Sequence, residues 1–112
     1  FILGGVMSNW IEISTIDALA DGAYERFEFD DMDVLVFREG DAVYAIEDLC
    51  THDGAELCGG LYINGEIECP RHGARFCIKT GQALSAPAYG QVSTFPIRIN
   101  DNGLIEMQLE DA

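Results

Sequence analysis

Basic side chains are scarce in this sequence. Six Lys and Arg stand against 20 Asp and Glu in 112 residues, a formal net charge of −14. Phosphate recognition depends on clustered Lys and Arg, so this balance argues against a nucleic-acid partner. It argues equally against an anionic membrane surface. No apolar run approaches the ~18 residues that a membrane-spanning helix needs. No Lys or Arg precedes Arg26, so the positive segment of a secretory signal is missing and a cytoplasmic protein is expected. Low-complexity tracts and internal repeats are absent. Histidine occurs only twice and proline three times. Residues 1–6, Phe-Ile-Leu-Gly-Gly-Val, stand ahead of Met7 and read as non-native residues outside the fold, leaving 7–112 as a single domain. The acidity has two readings, plain solubility or steering toward a basic patch on a partner protein.

What is present is a moderately apolar chain, 48% hydrophobic and 23% charged, large enough for one domain with a real core. It reads as short strands separated by turns. Strands are expected at 10–13, 23–29, 34–37 and 42–46, with Ser14 to Gly22 as a turn or a single helical turn. Asn64-Gly65 between Ile63 and Glu66-Ile67 is a hairpin signal. Two further strands are expected at 93–99 and 104–109, joined by Asn100-Asp101-Asn102-Gly103. No segment is long enough for the helical crossover that parallel strands require. The class is therefore all-β and antiparallel. Its organisation is a Gly-, Cys- and His-rich module at about 48–83, inserted into a β base built from 7–47 and 84–112.

All four cysteines and both histidines fall in that module. Two segments, Cys50-Thr51-His52 and Cys69-Pro70-Arg71-His72, each hold one Cys and one His, with 16 residues between His52 and Cys69. Glycine follows each, at 54 and 73. Four unrelated residues would not arrange themselves in this way. Zinc can take two Cys and two His in a tetrahedron, but zinc fingers usually pair Cys with Cys and His with His. Mixed arms suit a two-iron centre, with the thiolates on one iron and the imidazoles on the other.

Cys50-Thr51-His52-Asp53-Gly54 and Cys69-Pro70-Arg71-His72-Gly73-Ala74-Arg75-Phe76 resemble the two cluster-binding loops of the Rieske [2Fe–2S] family. Lys79-Thr80-Gly81 and Ala86-Pro87-Ala88 resemble the turn and the proline-containing loop that follow them. The resemblance covers the whole chain and is similar in length to the small Rieske-type ferredoxins of ring-hydroxylating dioxygenases. It implies a β-sandwich base with a small inserted cluster-binding subdomain, and one [2Fe–2S] cluster. Cys50 and Cys69 would bind one iron, and His52 and His72 the other. Gly54, Ala55, Gly73, Ala74, Phe76 and Pro87 would form the cluster environment, the five non-proline residues among them as candidate N–H donors to sulfur. The Cys-bound iron would face the scaffold and the His-bound iron the solvent.

Departures from the family are informative. High-potential members carry a disulfide between the loops, at positions occupied here by Ala55 and Arg71. They also place a serine and a tyrosine hydroxyl against the cluster, where Ala74 and Phe76 stand here. Lost hydrogen bonds to sulfur disfavour the reduced state, so a potential at the low end of the range, around −150 mV, is expected. Cys58 and Cys77 read as two free thiols, although their equal spacing from the ligand cysteines leaves a disulfide open. The function implied is that of a one-electron carrier, not an enzyme, between an NAD(P)H-dependent flavoprotein reductase and a terminal non-haem iron oxygenase. With both histidines committed, no facial triad of two His and a carboxylate can be built. A monomer is expected, with Asp48, Asp53, Glu56 and Glu68 meeting basic partner rims, and Arg71 and Arg75 either docking or forming ion pairs. The alternatives are a stand-alone Rieske protein serving iron–sulfur cluster assembly or another redox partner and, more distantly, a zinc-stabilised interaction module.

Overall fold

The structure is a computed structural model that describes residues 10–29, 32–51, 54–86 and 90–108. The expectation about residues 1–6 therefore lies outside the described residues. Among the described residues nine short strands form three antiparallel sheets of three strands each, and the only helical element is one 3-10 turn at Ile16–Ala18. No helix among them is long and apolar enough to cross a membrane.

The central sheet joins β2 (Tyr24–Glu28), β3 (Asp33–Glu39) and β4 (Ala42–Glu47) in the order β2-β3-β4. Its middle strand contains Val34-Leu35-Val36-Phe37, all fully buried. A continuous β-branched and aromatic run of this kind marks a strand covered on both faces. Successive side chains point to opposite faces, and here they enter two separate cores. Val34 and Val36 join Val43, Ala45, Ile105 and Met107, whereas Leu35 and Phe37 join Ile46, Leu57, Ile67 and Phe76.

The first core lies against the second sheet, β1 (Ile11–Thr15), β9 (Leu104–Met107) and β8 (Ile97–Ile99), in the order β1-β9-β8. These two sheets form the sandwich base. The expected strand 93–99 divides at Pro96. Ahead of it, Phe95 N–H donates to Ala45 C=O (3.1 Å) and Ser93 C=O accepts from Glu47 N–H (2.9 Å), so this stretch lies antiparallel alongside β4. Beyond it, 97–99 pairs with β9. Proline has no N–H for a ladder, which makes it the natural point for the chain to change sheets.

The third sheet consists of β5 (Tyr62–Ile63), β6 (Glu66–Glu68) and β7 (Arg75–Cys77). Asn64 (φ 56°) and Gly65 (φ 78°) make the hairpin turn between β5 and β6 that their dipeptide predicts. Strand β7 was not foreseen, because three residues are too few to show a period. Tyr24, Phe37 and Tyr62 fasten this sheet to the base, with ring centroids 4.8–6.2 Å apart. The Tyr24 hydroxyl donates to Gly60 C=O (2.8 Å) and accepts from Gly59 N–H (3.0 Å). Tyr62 donates to Glu39 (2.6 Å). Burial first, then this carboxylate, holds the Tyr62 phenol well above its ordinary pKa.

Phe37→Ala is expected to destabilise the fold by about 3–5 kcal/mol in chemical denaturation, because it opens a cavity in the core shared by base and third sheet. Ile63→Ala, at a side chain 51% exposed on the outer face, should stay within about 0.5 kcal/mol of the parent.

Candidate metal centre

Two loops descend from the ends of strands, one after β4 and one after β6. Their backbones share one hydrogen-bonding scheme. Cys50 N–H donates to Ala55 C=O (2.7 Å), and Gly54 N–H donates back to Cys50 C=O (2.8 Å). Cys69 N–H donates to Ala74 C=O (2.7 Å), and Gly73 N–H to Cys69 C=O (2.9 Å). The turn closes only if the fourth residue after the cysteine is left-handed. Gly54 (φ 78°) and Gly73 (φ 75°) supply that at no steric cost. Both cysteines are fully buried and belong to the core containing Phe37 and Phe76, while His72 is exposed. The second loop thus directs a thiol inward and an imidazole toward solvent. His52, Asp53 and Pro87 lie outside the described residues.

The backbone corrects one expectation. The Gly54 and Gly73 amides donate to the cysteine carbonyls, so neither is directed at a cluster sulfur. Phe76 pairs with Ile67 of β6, while the neighbouring Arg75 C=O and Cys77 N–H bond to Leu84 and Gln82 on the other side. Its amide therefore faces the β6 ladder. Three of the five candidate donors are thus engaged within the backbone. The Ala74 and Phe76 side chains are buried and carry no hydroxyl. Around the centre, Thr51 Oγ1 donates to Gly90 C=O (2.7 Å) and Ser85 Oγ accepts from Arg75 N–H (3.0 Å). These bonds fix Gly90 to the first loop and Ser85 to β7.

A third turn repeats the scheme where no histidine is present. Cys77 N–H donates to Gln82 C=O (2.9 Å), and Gly81 (φ 78°) N–H to Cys77 C=O (2.8 Å). Burial pushes the Cys77 thiol up, but hydrogen bonds from the Thr80 hydroxyl and from the Thr80 and Lys79 amides outweigh it, leaving the pKa below the ordinary thiol value. Cys58 is shifted the opposite way, by burial and then by the Asp48 charge. Neither thiol is in a disulfide.

Asp48 also needs correcting. Sequence grouped it with the docking acids, yet its side chain is fully enclosed. Its Oδ1 accepts from Leu57 N–H (2.6 Å) and Cys58 N–H (2.9 Å), closing the first loop at its neck. Arg26 of β2 approaches from the base. Its guanidinium lies 2.9 Å from Asp33, 3.1 Å from Glu28, 3.2 Å from Glu56 and 3.6 Å from Asp48. The hydrogen bond it donates to Asp33 leads in raising its pKa above the ordinary arginine value. The role of Arg26 was missed. Its only signal was a lone basic residue among acids in an imperfectly alternating strand. Arg75 forms an ion pair with Glu66 (3.6 Å).

Among the described residues no three His, Cys, Asp or Glu side chains gather as a single-ion site, and His52 lies outside them. The donor chemistry fits a two-iron cluster: two enclosed thiols on matched turns, with a solvent-facing imidazole on one of them. A β scaffold carrying such loops defines an iron–sulfur electron-transfer protein. The match to known proteins is specific. A model of the Rieske [2Fe–2S] domain matches residues 9–96. The ferredoxin component of the naphthalene 1,2-dioxygenase/salicylate 5-hydroxylase systems of Ralstonia sp is 30% identical over 102 residues, covering 91% of this chain and 97% of that one. The solved ferredoxin of carbazole 1,9a-dioxygenase from Nocardioides aromaticivorans IC177 superposes with a TM-score of 0.85 at 33% identity, covering 92% of this chain and 100% of that one. The chain belongs to the Rieske [2Fe–2S] family. It is a ferredoxin with one Rieske-type cluster, an electron carrier and not itself a catalyst.

Two outcomes follow from the turns. Gly73→Ala meets no atom within 4 Å, so its cost is conformational, about 1–2 kcal/mol in denaturation. Gly81→Ala places a Cβ 2.1 Å from Val92 C=O and should cost more. In the holoprotein, iodoacetamide at mildly alkaline pH should modify Cys77 before Cys58, as read by peptide mass spectrometry, because only Cys77 has its thiolate favoured.

Proposed function

We propose that Cys50 and Cys69 hold one iron of the cluster and His52 and His72 the other. The chain then carries single electrons from an NAD(P)H-dependent flavoprotein reductase to a terminal non-haem iron oxygenase, as a cytoplasmic monomer. The unit at about 48–83 is the cluster-binding subdomain, set in a base of 7–47 and 84–112. The observation that carries this reading is the matched pair of turns, which bury Cys50 and Cys69 in the core and leave His72 at the surface. When bound, the cluster accepts and releases one electron.

The chain's own residues prepare that exchange. Burial excludes water from the thiols and shields them from oxidation. The exposed His72 edge gives a partner a short path to the metal. The hydrophobic Ala74 and Phe76 side chains supply no hydroxyl to sulfur, which favours a low potential suited to a flavin donor. Fourteen formal negative charges in excess favour a partner with a basic rim, and polar docking releases quickly. Two relatives support the acceptor. The Ralstonia protein is named as a ferredoxin component of a dioxygenase system. A chain 30% identical to this one, with a TM-score of 0.86 and covering 93% of this chain and 96% of that one, was solved in the complex of reduced oxygenase and oxidized ferredoxin in carbazole 1,9a-dioxygenase.

The test is anaerobic purification followed by visible spectroscopy, paramagnetic resonance, and iron, sulfide and zinc assays. A brown protein with two irons, two sulfides and a rhombic reduced signal of low average g is expected, with loss of that signal in His72→Ala. A colourless protein holding one zinc would overturn the reading.

A further inference from the structure

Asp48 Oδ2 and Arg26 Nε are, among the described residues, the buried side-chain polar atoms without a hydrogen-bond partner. They face each other at 3.6 Å, too long for a hydrogen bond, at the neck of the loop that carries Cys50. An enclosed polar atom without a hydrogen bond is costly, so this pair calls for an explanation.

The geometry points to a role: we propose that Asp48, enclosed, and Arg26, partly exposed, are a charge couple that positions the first cluster loop and biases the cluster's reduction potential in opposite directions. This rests on the assignment of Cys50 as a ligand. Three observations lead to it. Asp48 is two residues from Cys50, and its Oδ1 ties that side of the loop to the returning chain at Leu57 and Cys58. Its backbone N–H donates to Asp33 C=O (2.8 Å), so the same residue fixes the loop to the central sheet. Its other oxygen is enclosed and faces a guanidinium surrounded by four carboxylates, so acid outnumbers base at this spot.

The electrostatic consequence has a definite sign. Reduction adds one negative charge to the cluster. A carboxylate enclosed near it, in a medium that screens poorly, disfavours that charge, and the guanidinium favours it. Neither residue touches the metal. Both act through the loop and through space. Asp48→Asn keeps an oxygen for the Leu57 and Cys58 amides and removes only the charge. Arg26→Gln removes the opposing charge, and Arg26→Lys keeps it.

The experiment is a redox titration of the anaerobic holoprotein with each substitution, alongside iron content and the paramagnetic resonance spectrum. The expected result is a higher potential in D48N, a lower one in R26Q, and a value near the parent in both R26K and the D48N/R26Q double variant. Unchanged potentials, or shifts of one sign in D48N and R26Q with two irons retained, would overturn the proposal. If D48N fails to load iron, D48E decides: loading by D48E alone supports a requirement for the charge, and failure of both assigns the site to packing and overturns it. A parent protein without iron would defeat the cluster assignment itself, and is thereby distinguishable.

Discussion

Strand Asp33–Glu39 has no solvent face along its middle, and the rest of the molecule is arranged around that fact. Leu35 and Phe37 support the third sheet, and Val34 and Val36 support the sandwich. One strand therefore serves as the common wall of two cores. Burying four large side chains there is worth several kcal/mol, and neither half of the structure can move against the other without opening that wall. For an electron carrier this matters directly. The loops hang from strand ends packed on the same wall, so the distance from scaffold to exposed histidine is set by a close-packed interior.

Charge is distributed with a similar division. The excess acid is mostly solvated, where water and salt screen it. One carboxylate, Asp48, is drawn inside and held by two amides and an arginine. Exposed acids govern encounter with partners. The enclosed one belongs to the architecture of the loop, and its influence survives at salt concentrations that erase the surface field.

Much of this was legible in the sequence, for reasons that can be named. The run Val34–Phe37, the Asn64-Gly65 turn and the two Cys/His segments are local signals, each carried by a few adjacent residues. The strand ending at Ile99 was expected to begin at Ser93, but Pro96 divides it between two sheets, and nothing local says which sheet the leading half will join. Strand Arg75–Cys77 exists because β6 offers it a ladder, a tertiary cause with no period of its own. The donors at Gly54 and Gly73 were assigned by proximity to the ligands, whereas the tight turn claims their amides first. Asp48 and Arg26 are 22 positions apart in the chain, and their meeting depends on the register of β2 against β3. Surface acid and buried acid look alike until that register is known.

The turn at Cys77–Gln82 has the bonds of the Cys50 and Cys69 turns without a histidine in it. Glycine geometry and amide pairing alone are thus sufficient to hold a cysteine in this posture, and iron is not required to sculpt it. The same bonds run through the Cys50 and Cys69 turns, so their backbone hydrogen bonds are satisfied within the chain and the side chains alone are left to meet a metal.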